Sequence, residues 1–84
     1  MTPDRTIVTL EGPAGFKEDF ELPLTLPLGR WKDQLLELLR QTDARMFDGW
    51  NDVRLKIGDM TLQSHDTLAE YAVWDGSILK VIRG

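Results

Sequence analysis

The sequence predicts an α+β fold in which one helix covers one face of a mixed β-sheet. Short stretches of β-branched or alternating apolar residues, typical of strands, occur before residue 25 and after residue 52. Between them, from Pro27 to Gln41, apolar residues recur at three- and four-residue spacing, which indicates one amphipathic helix. The chain has 84 residues, which is room for one domain, and we predict that this domain spans residues 1–84.

The first two strands are predicted to form a hairpin. The stretch Thr6–Leu10 is β-branched and is followed by Gly12-Pro13-Ala14-Gly15, which is typical of a turn. After this turn, every second residue from 16 to 24 falls on one side of a strand, and four of these five residues are apolar: Phe16, Phe20, Leu22 and Leu24. The second strand is therefore expected to be half-buried and paired with the first.

The helix is predicted to bury one apolar stripe, which consists of Leu28, Trp31, Leu35, Leu38 and Leu39. Pro27 suits the first turn, where its missing N–H costs nothing. The next ten residues, Asp43 to Asp52, form a long connection that we expect to tuck one or two aromatic side chains under the sheet.

The second half of the chain predicts three more strands. The stretch 53–57 alternates strictly, Gly58-Asp59 marks a turn, and 60–62 forms a short return strand. A brief helical turn is expected at 68–71, and Asp75-Gly76 precedes a final strand at 77–82. The final strand most simply lies parallel to the first, between it and the third, and that arrangement is the β-grasp.

Composition excludes several functions. The chain has no cysteine, which rules out disulfides, thiol catalysis and cysteine-based metal sites. A net charge of −4 argues against a nucleic-acid partner. No stretch approaches the ~18 apolar residues that cross a bilayer, and the first five residues lack the basic start of a signal peptide. We therefore expect a cytoplasmic protein without direct membrane insertion.

No catalytic or metal site is predicted. Ser64, His65 and Asp66 are adjacent, and adjacent residues are expected to point apart instead of forming a catalytic relay. Asp43, Asp48 and Asp52 lack the alternating pattern of a calcium loop and are expected to form turns. We therefore predict a protein that is not an enzyme and uses no cofactor.

The last third of the chain resembles ubiquitin. The matching residues, in order, are Thr67-Leu68, Tyr71, Val73, Ser77, Leu79 and Val81. Two stretches extend the resemblance to the bacterial YukD/EsaB-like family of ubiquitin-like proteins: residues 20–28, with Phe-Glu-Leu-Pro and Leu-Pro-Leu, and Asp75–Val81, which is similar to that family's Asp-Gly-Asp-Ile-Leu-Lys-Leu ending. The resemblance implies a ubiquitin-like fold and an accessory role in type VII (ESX-like) secretion. It also points to the related cytosolic N-terminal domain of EccD.

The comparison with ubiquitin also suggests where a partner would bind. The central position of ubiquitin's apolar docking patch is matched here by Lys56, flanked by Arg54 and Lys80, and only Ile82 is apolar. These residues predict a basic sheet face for an acidic protein partner. An ordinary solvated face with edge-protecting lysines is the alternative. Trp74, beside the Asp75-Gly76 turn, is the best candidate for an exposed aromatic anchor.

Three functions follow from this comparison. The first is a non-conjugated adaptor that binds a component of the secretion machinery. The second is a ubiquitin-like modifier or sulfur carrier, which needs a Gly-Gly tail and whose native C-terminus would then be processed or truncated at the present ending Ile82-Arg83-Gly84. The third is a structural domain of a larger membrane component. The open edge strand would also allow a homodimer.

Overall fold

Five strands and one α-helix make up residues 4–84, the part of the chain that the computed structural model describes. The strands are β1 (Arg5–Glu11), β2 (Lys17–Pro23), β3 (Val53–Ile57), β4 (Met60–Thr61) and β5 (Ile78–Arg83), and the helix is α1 (Lys32–Thr42). Single 3₁₀ turns lie at Pro13–Gly15, Leu28–Arg30 and Ala69–Tyr71. The first three residues of the predicted domain lie outside the described residues.

The strands form one mixed sheet in the order β2-β1-β5-β3-β4. β1 pairs antiparallel with β2 and parallel with β5, and β3 pairs antiparallel with both β5 and β4. The final strand therefore lies parallel to the first, between it and the third, as predicted. The α+β β-grasp fold is confirmed.

The hairpin of β1 and β2 keeps the predicted side-chain pattern. Its register runs from Arg5↔Pro23 to Glu11↔Lys17, which places Val8 opposite Phe20. Val8 and Leu22 are buried against the core, while the alternate residues face away from it. The intervening turn holds Ala14 at φ 55°, a left-handed conformation that is uncommon for a residue with a side chain.

The helix differs from its prediction at its first turn. Leu28–Arg30 forms a separate 3₁₀ turn, Trp31 has non-helical dihedrals (φ −134°, ψ −2°), and α1 begins only at Lys32. The other four residues of the predicted stripe, Leu28, Trp31, Leu35 and Leu39, are nevertheless buried. Leu36 completes the buried face of α1, and because residues two positions apart lie on nearly opposite sides of a helix, Leu38 points outward. The predicted burial of Leu38 is therefore wrong. Its side chain is 43% exposed.

The buried face of α1 consists instead of Leu35, Leu36 and Leu39. Trp31 is buried as predicted, and its indole Nε1 donates to the carbonyl of Leu26 at 3.0 Å. A buried indole N–H needs such a partner.

The long connection between α1 and β3 carries an aromatic cluster beneath the sheet. The ring of Phe47 is fully buried and makes edge-to-face contacts with Phe16 (5.0 Å between centroids) and Trp50 (4.8 Å). Two arginines hold the loop: Arg40 donates to the carbonyl of Trp50, and Arg83 donates to that of Gly49 at 2.7 Å. This confirms that the connection tucks aromatic side chains into the core.

Candidate interaction surface

The four residues predicted to form the binding face come together on two neighbouring strands. The β3–β5 register places Arg54 opposite Ile82 and Lys56 opposite Lys80. Their neighbours along the strands, Val53, Leu55, Leu79 and Val81, are buried. Because side chains alternate along a strand, the four residues lie on the outer face of the sheet, away from the core. We call Arg54, Lys56, Lys80 and Ile82 the basic strip.

The cations of the basic strip make no direct ion pair with the acidic side chains near them in the described part of the chain. Within residues 4–84, Arg54, Lys56 and Lys80 form no ion pair. The nearest acidic neighbour in sequence, Asp52, accepts a hydrogen bond from the Val53 backbone N–H at 2.9 Å and pairs with Lys32 at 3.2 Å. That backbone bond and the Lys32 ammonium lower the pKa of Asp52, and the positive charge of Arg54 adds to this effect, so Asp52 balances part of the charge at one end of the strip.

The outer face is not basic throughout. Glu11 on β1 lies between Lys80 on one side and Lys17 on the other. Farther along β2, Asp19 accepts a hydrogen bond from the Thr9 hydroxyl at 2.7 Å, and Glu21 pairs with Arg5 at 3.4 Å. The positive charge predicted for the whole face is thus confined to the half formed by β3 and β5. The sequence prediction missed this division because it depends on how β1 aligns with β5.

A groove lies beside the basic strip and was not predicted from the sequence. It has a volume of about 450 Å³ and is lined by Glu11, Gly12, Pro13, Trp50 and the β5 residues 80–83. The β1–β5 pairing ends at Glu11↔Lys80, whereas the β3–β5 pairing continues to Val53↔Arg83. β5 therefore extends about three residues beyond the last residue of β1 that pairs with it. The available signal was the pair Gly12-Pro13, which ends β1 early.

Trp74 occupies a separate position at the start of β5. Its side chain is 71% exposed, which confirms the predicted exposure, and Ile7 and Ile78 beside the turn are also exposed. Ile82 lies at the other end of the same strand, about 13 Å farther than Ile78 at the usual rise per residue. Trp74 thus lies beyond the Ile78 end of β5, at the end opposite to Ile82 of the basic strip. The role of Trp74 in partner binding stays a prediction.

The turn that carries Trp74 is held by several hydrogen bonds. The Trp74 backbone N–H donates to the Ser77 hydroxyl at 3.0 Å. The carboxylate of Asp75 accepts hydrogen bonds from the Thr6 hydroxyl and the Ile7 backbone N–H, both at 2.9 Å. The bonds from Ile7 and Thr6 lower the pKa of Asp75.

The Ser64-His65-Asp66 segment is arranged differently from the prediction in one respect. His65 Nε2 lies 3.4 Å from a carboxylate oxygen of Asp66, so these adjacent side chains do meet. The other oxygen of Asp66 accepts the Gln63 backbone N–H at 2.8 Å, and no hydrogen bond within residues 4–84 links Ser64 to His65. Partial burial and the nearby Asp66 carboxylate raise the pKa of Tyr71. These contacts tie the loop together.

Of the three aspartates expected to form turns, Asp43 does so, while Asp52 bonds to the start of β3 and pairs with Lys32. Asp43 accepts the Met46 backbone N–H at 3.1 Å, and Asp52 accepts that of Val53. Among residues 4–84 no three His, Asp or Glu side chains are grouped to hold a metal ion. No helix in this same range is long and apolar enough to cross a bilayer.

The fold defines a ubiquitin-like β-grasp domain, and comparison with solved structures agrees. The chain is similar to the ubiquitin-like domain of the Mycobacterium tuberculosis type VII secretion protein EccD1, with a TM-score of 0.75 and 20% identity over 93% of this chain and 97% of that one. It is similar to the EccD5 ubiquitin-like domain from Mycobacterium xenopi, with a TM-score of 0.77 and 21% identity over 95% and 94% of the two chains.

Two further solved structures are similar to the chain, one of them over only a part of a larger chain. In the MycP5-free ESX-5 inner membrane complex, a matching chain has a TM-score of 0.76 and 20% identity; the match covers 95% of this chain but only 21% of that one. The N-terminal ubiquitin-like domain of the 4931431F19Rik protein has a TM-score of 0.72 and 20% identity over 99% of this chain and 78% of that one. No family model and no curated protein sequence matches the chain. At these identities the likeness shows the fold.

Proposed function

We propose that this domain is a non-catalytic protein-interaction module of a type VII (ESX-like) secretion system, which binds an acidic partner through the basic strip on the cytoplasmic side of the membrane. The likeness to the EccD ubiquitin-like domains supports the proposed role in a type VII secretion system. The resemblance to the YukD/EsaB-like family agrees with it. The match to 21% of a chain in the ESX-5 complex favours the variant in which such a domain is one part of a larger membrane component.

The observation that carries the docking surface is the direct pairing of Lys56 and Lys80. Like charges directly opposite each other in a sheet destabilise it. Both residues lie on strands with a neighbour on either side, so the protection of an exposed sheet edge does not account for them. On a chain of net charge −4, three neighbouring cations that make no direct ion pair within residues 4–84 are a feature that folding does not require. An acidic partner surface would supply the missing counter-charges.

The test is site-specific crosslinking in the native host. A photo-crosslinking amino acid at Ile82 is expected to recover subunits of the secretion machinery. The double charge reversal Lys56→Glu and Lys80→Glu is expected to abolish this recovery. The matched control is the double reversal Lys17→Glu and Arg45→Glu, which makes the same change in net charge at two exposed sites outside the strip.

Two results would contradict the proposal. One is a crosslink pattern that contains only proteins outside the secretion machinery. The other is equal recovery from the strip variant and the control variant. Circular dichroism of both variants establishes that each is folded before the comparison is made.

A further inference from the structure

We propose that the groove beside the end of β5 receives an extended acidic–apolar segment of the partner, which pairs with β5 as an additional strand. This inference rests on the proposed function, because it takes the partner to be an acidic protein. It adds the form of the ligand and the place where its backbone is held.

The backbone of β5 is open on one side over its last residues. Thr9 N donates to Ser77 O at 2.8 Å, which shows that the N–H and C=O of Ser77 and every second residue after it face β1. β1 pairs with β5 only as far as Lys80. The Val81 carbonyl and the Arg83 backbone N–H and C=O therefore face the position that β1 has left.

The chain leaves this position because of the hairpin turn. Gly12 N donates to Phe16 O at 2.9 Å, so the backbone of Gly12 already bonds across the hairpin turn and not to β5. Pro13 has no N–H with which it could continue the pairing to β5. The groove lies where a longer β1 would have continued beside β5. Its volume of about 450 Å³ lies within the usual range for binding sites. Strand addition to an open sheet edge is a common mode of peptide recognition.

The side chains around the groove define the chemistry of the segment. On the outer face, Lys80 supplies positive charge beside Ile82; toward the core side, Pro13 and the edge of the largely buried Trp50 supply apolar surface, next to Arg83, which is bonded to the Gly49 carbonyl. Arg54 and Lys56 extend this charge onto the adjacent strand, and Glu11 is the one acidic residue among those that line the groove. In an added strand, successive side chains point to opposite faces. Acidic side chains would then meet the basic strip on the outer face, while apolar ones pack toward Pro13 and Trp50.

The test uses the purified 84-residue chain and a short synthetic peptide in which glutamate alternates with valine. In an NMR titration we expect the largest amide shifts at residues 81–84 and at Gly12. A peptide with N-methyl groups on alternate residues keeps the side chains but cannot complete the strand pairing. We expect it to bind about tenfold more weakly, since it loses one or two backbone hydrogen bonds. A peptide with lysine in place of glutamate is expected not to bind.

The matched variants lie on one strand. Ile82→Glu places a negative charge beside the groove and is expected to prevent binding of the glutamate peptide, whereas Ile78→Glu, on the same face at the other end of β5, is expected to leave it unchanged. The inference is overturned by equal affinity of the N-methylated peptide, by shifts confined to the turn around Trp74, or by self-association of the chain through the groove in light scattering. If peptides fail while crosslinking still recovers secretion subunits, only this inference falls; the reverse result contradicts the proposed function alone.

Discussion

The side chains of Thr6 and Asp75 are joined by a hydrogen bond of 2.9 Å, although 69 positions separate them in the sequence. The same carboxylate oxygen accepts the backbone N–H of Ile7, and Gly76 N donates back to Ile7 O at 2.9 Å. The turn before β5 is thereby fastened to the start of β1. The exposed Trp74 is part of this turn, and its backbone N–H donates to the Ser77 hydroxyl.

This contact makes a prediction about acid stability. The bonds from Ile7 and Thr6 lower the folded-state pKa of Asp75 below its ordinary value of 3.8. Its contribution to stability is therefore fully present above pH 3.8 and is lost as the pH falls through the folded-state pKa. Asp75→Asn keeps an acceptor oxygen but removes the charge. We expect its Tm to lie below that of the unchanged chain at pH 7 and the difference to vanish in acid.

Thermal unfolding followed by circular dichroism between pH 7 and pH 2 measures this difference. Asp59→Asn, at the exposed turn between β3 and β4, reports the general effect of removing one carboxylate. A Tm difference for Asp75→Asn that stays constant down to pH 2 would show that the charge of Asp75 does not stabilise the fold.

The aromatic cluster makes a prediction about the core. Phe47→Ala removes a fully buried ring and its edge-to-face contacts with Phe16 and Trp50. Such a truncation costs about 3–5 kcal/mol, a large share of the stability of a domain of this size. Urea unfolding measures it, with Phe47→Leu as the milder companion. A loss below about 1 kcal/mol would mean that the connection is not part of the cooperative core.

The arginine on the last turn of α1 makes a prediction about the same connection. Arg40 donates to the Trp50 carbonyl and also pairs with Glu37 at 2.9 Å. Arg40→Ala leaves that carbonyl without its charged partner, and we expect a loss of about 1.5–3 kcal/mol. Glu37→Ala removes only the exposed ion pair and is expected to cost less than about 0.5 kcal/mol. Equal losses in urea unfolding would assign the effect to the ion pair instead.

The 3₁₀ turn before β5 offers a stabilising substitution. Ala72 has φ 55° and ψ 36°, a left-handed conformation that is strained for a residue with a Cβ atom. Ala72→Gly relieves this strain, and we expect a gain of about 0.5–1 kcal/mol after the added freedom of the unfolded chain is counted. Ala69→Gly, within the 3₁₀ turn and without a positive φ, is expected to lose about as much. The midpoints of urea unfolding measure the change in stability of each variant, which is expected to be positive for Ala72→Gly and negative for Ala69→Gly. A loss of stability in both variants would contradict the claim that Ala72 is strained.

The pattern of the sequence determined the fold, and its resemblance to ubiquitin indicated the members of the basic strip. The alternation along 53–57 and 77–82 agrees with that comparison, because it assigns Leu55 and Val81 to the core and leaves Lys56 and Lys80 facing outward. A strand with one buried face has only one way to orient its side chains. The same alternation predicted the hairpin, and the Asp75-Gly76 turn predicted where β5 begins.

Only the tertiary structure decided which leucines of the helix are buried, how charge is divided over the sheet face, and where the groove lies. Leu38 points outward because the core takes Leu36 in its place, and the apolar spacing in the sequence does not distinguish the two. The position of Glu11 beside Lys80, and the early end of β1, depend on how two strands far apart in sequence align. Register and relative strand length are set by packing against the whole core, so the groove and the placement of Trp74 beyond the start of β5 appear only when the sheet is assembled.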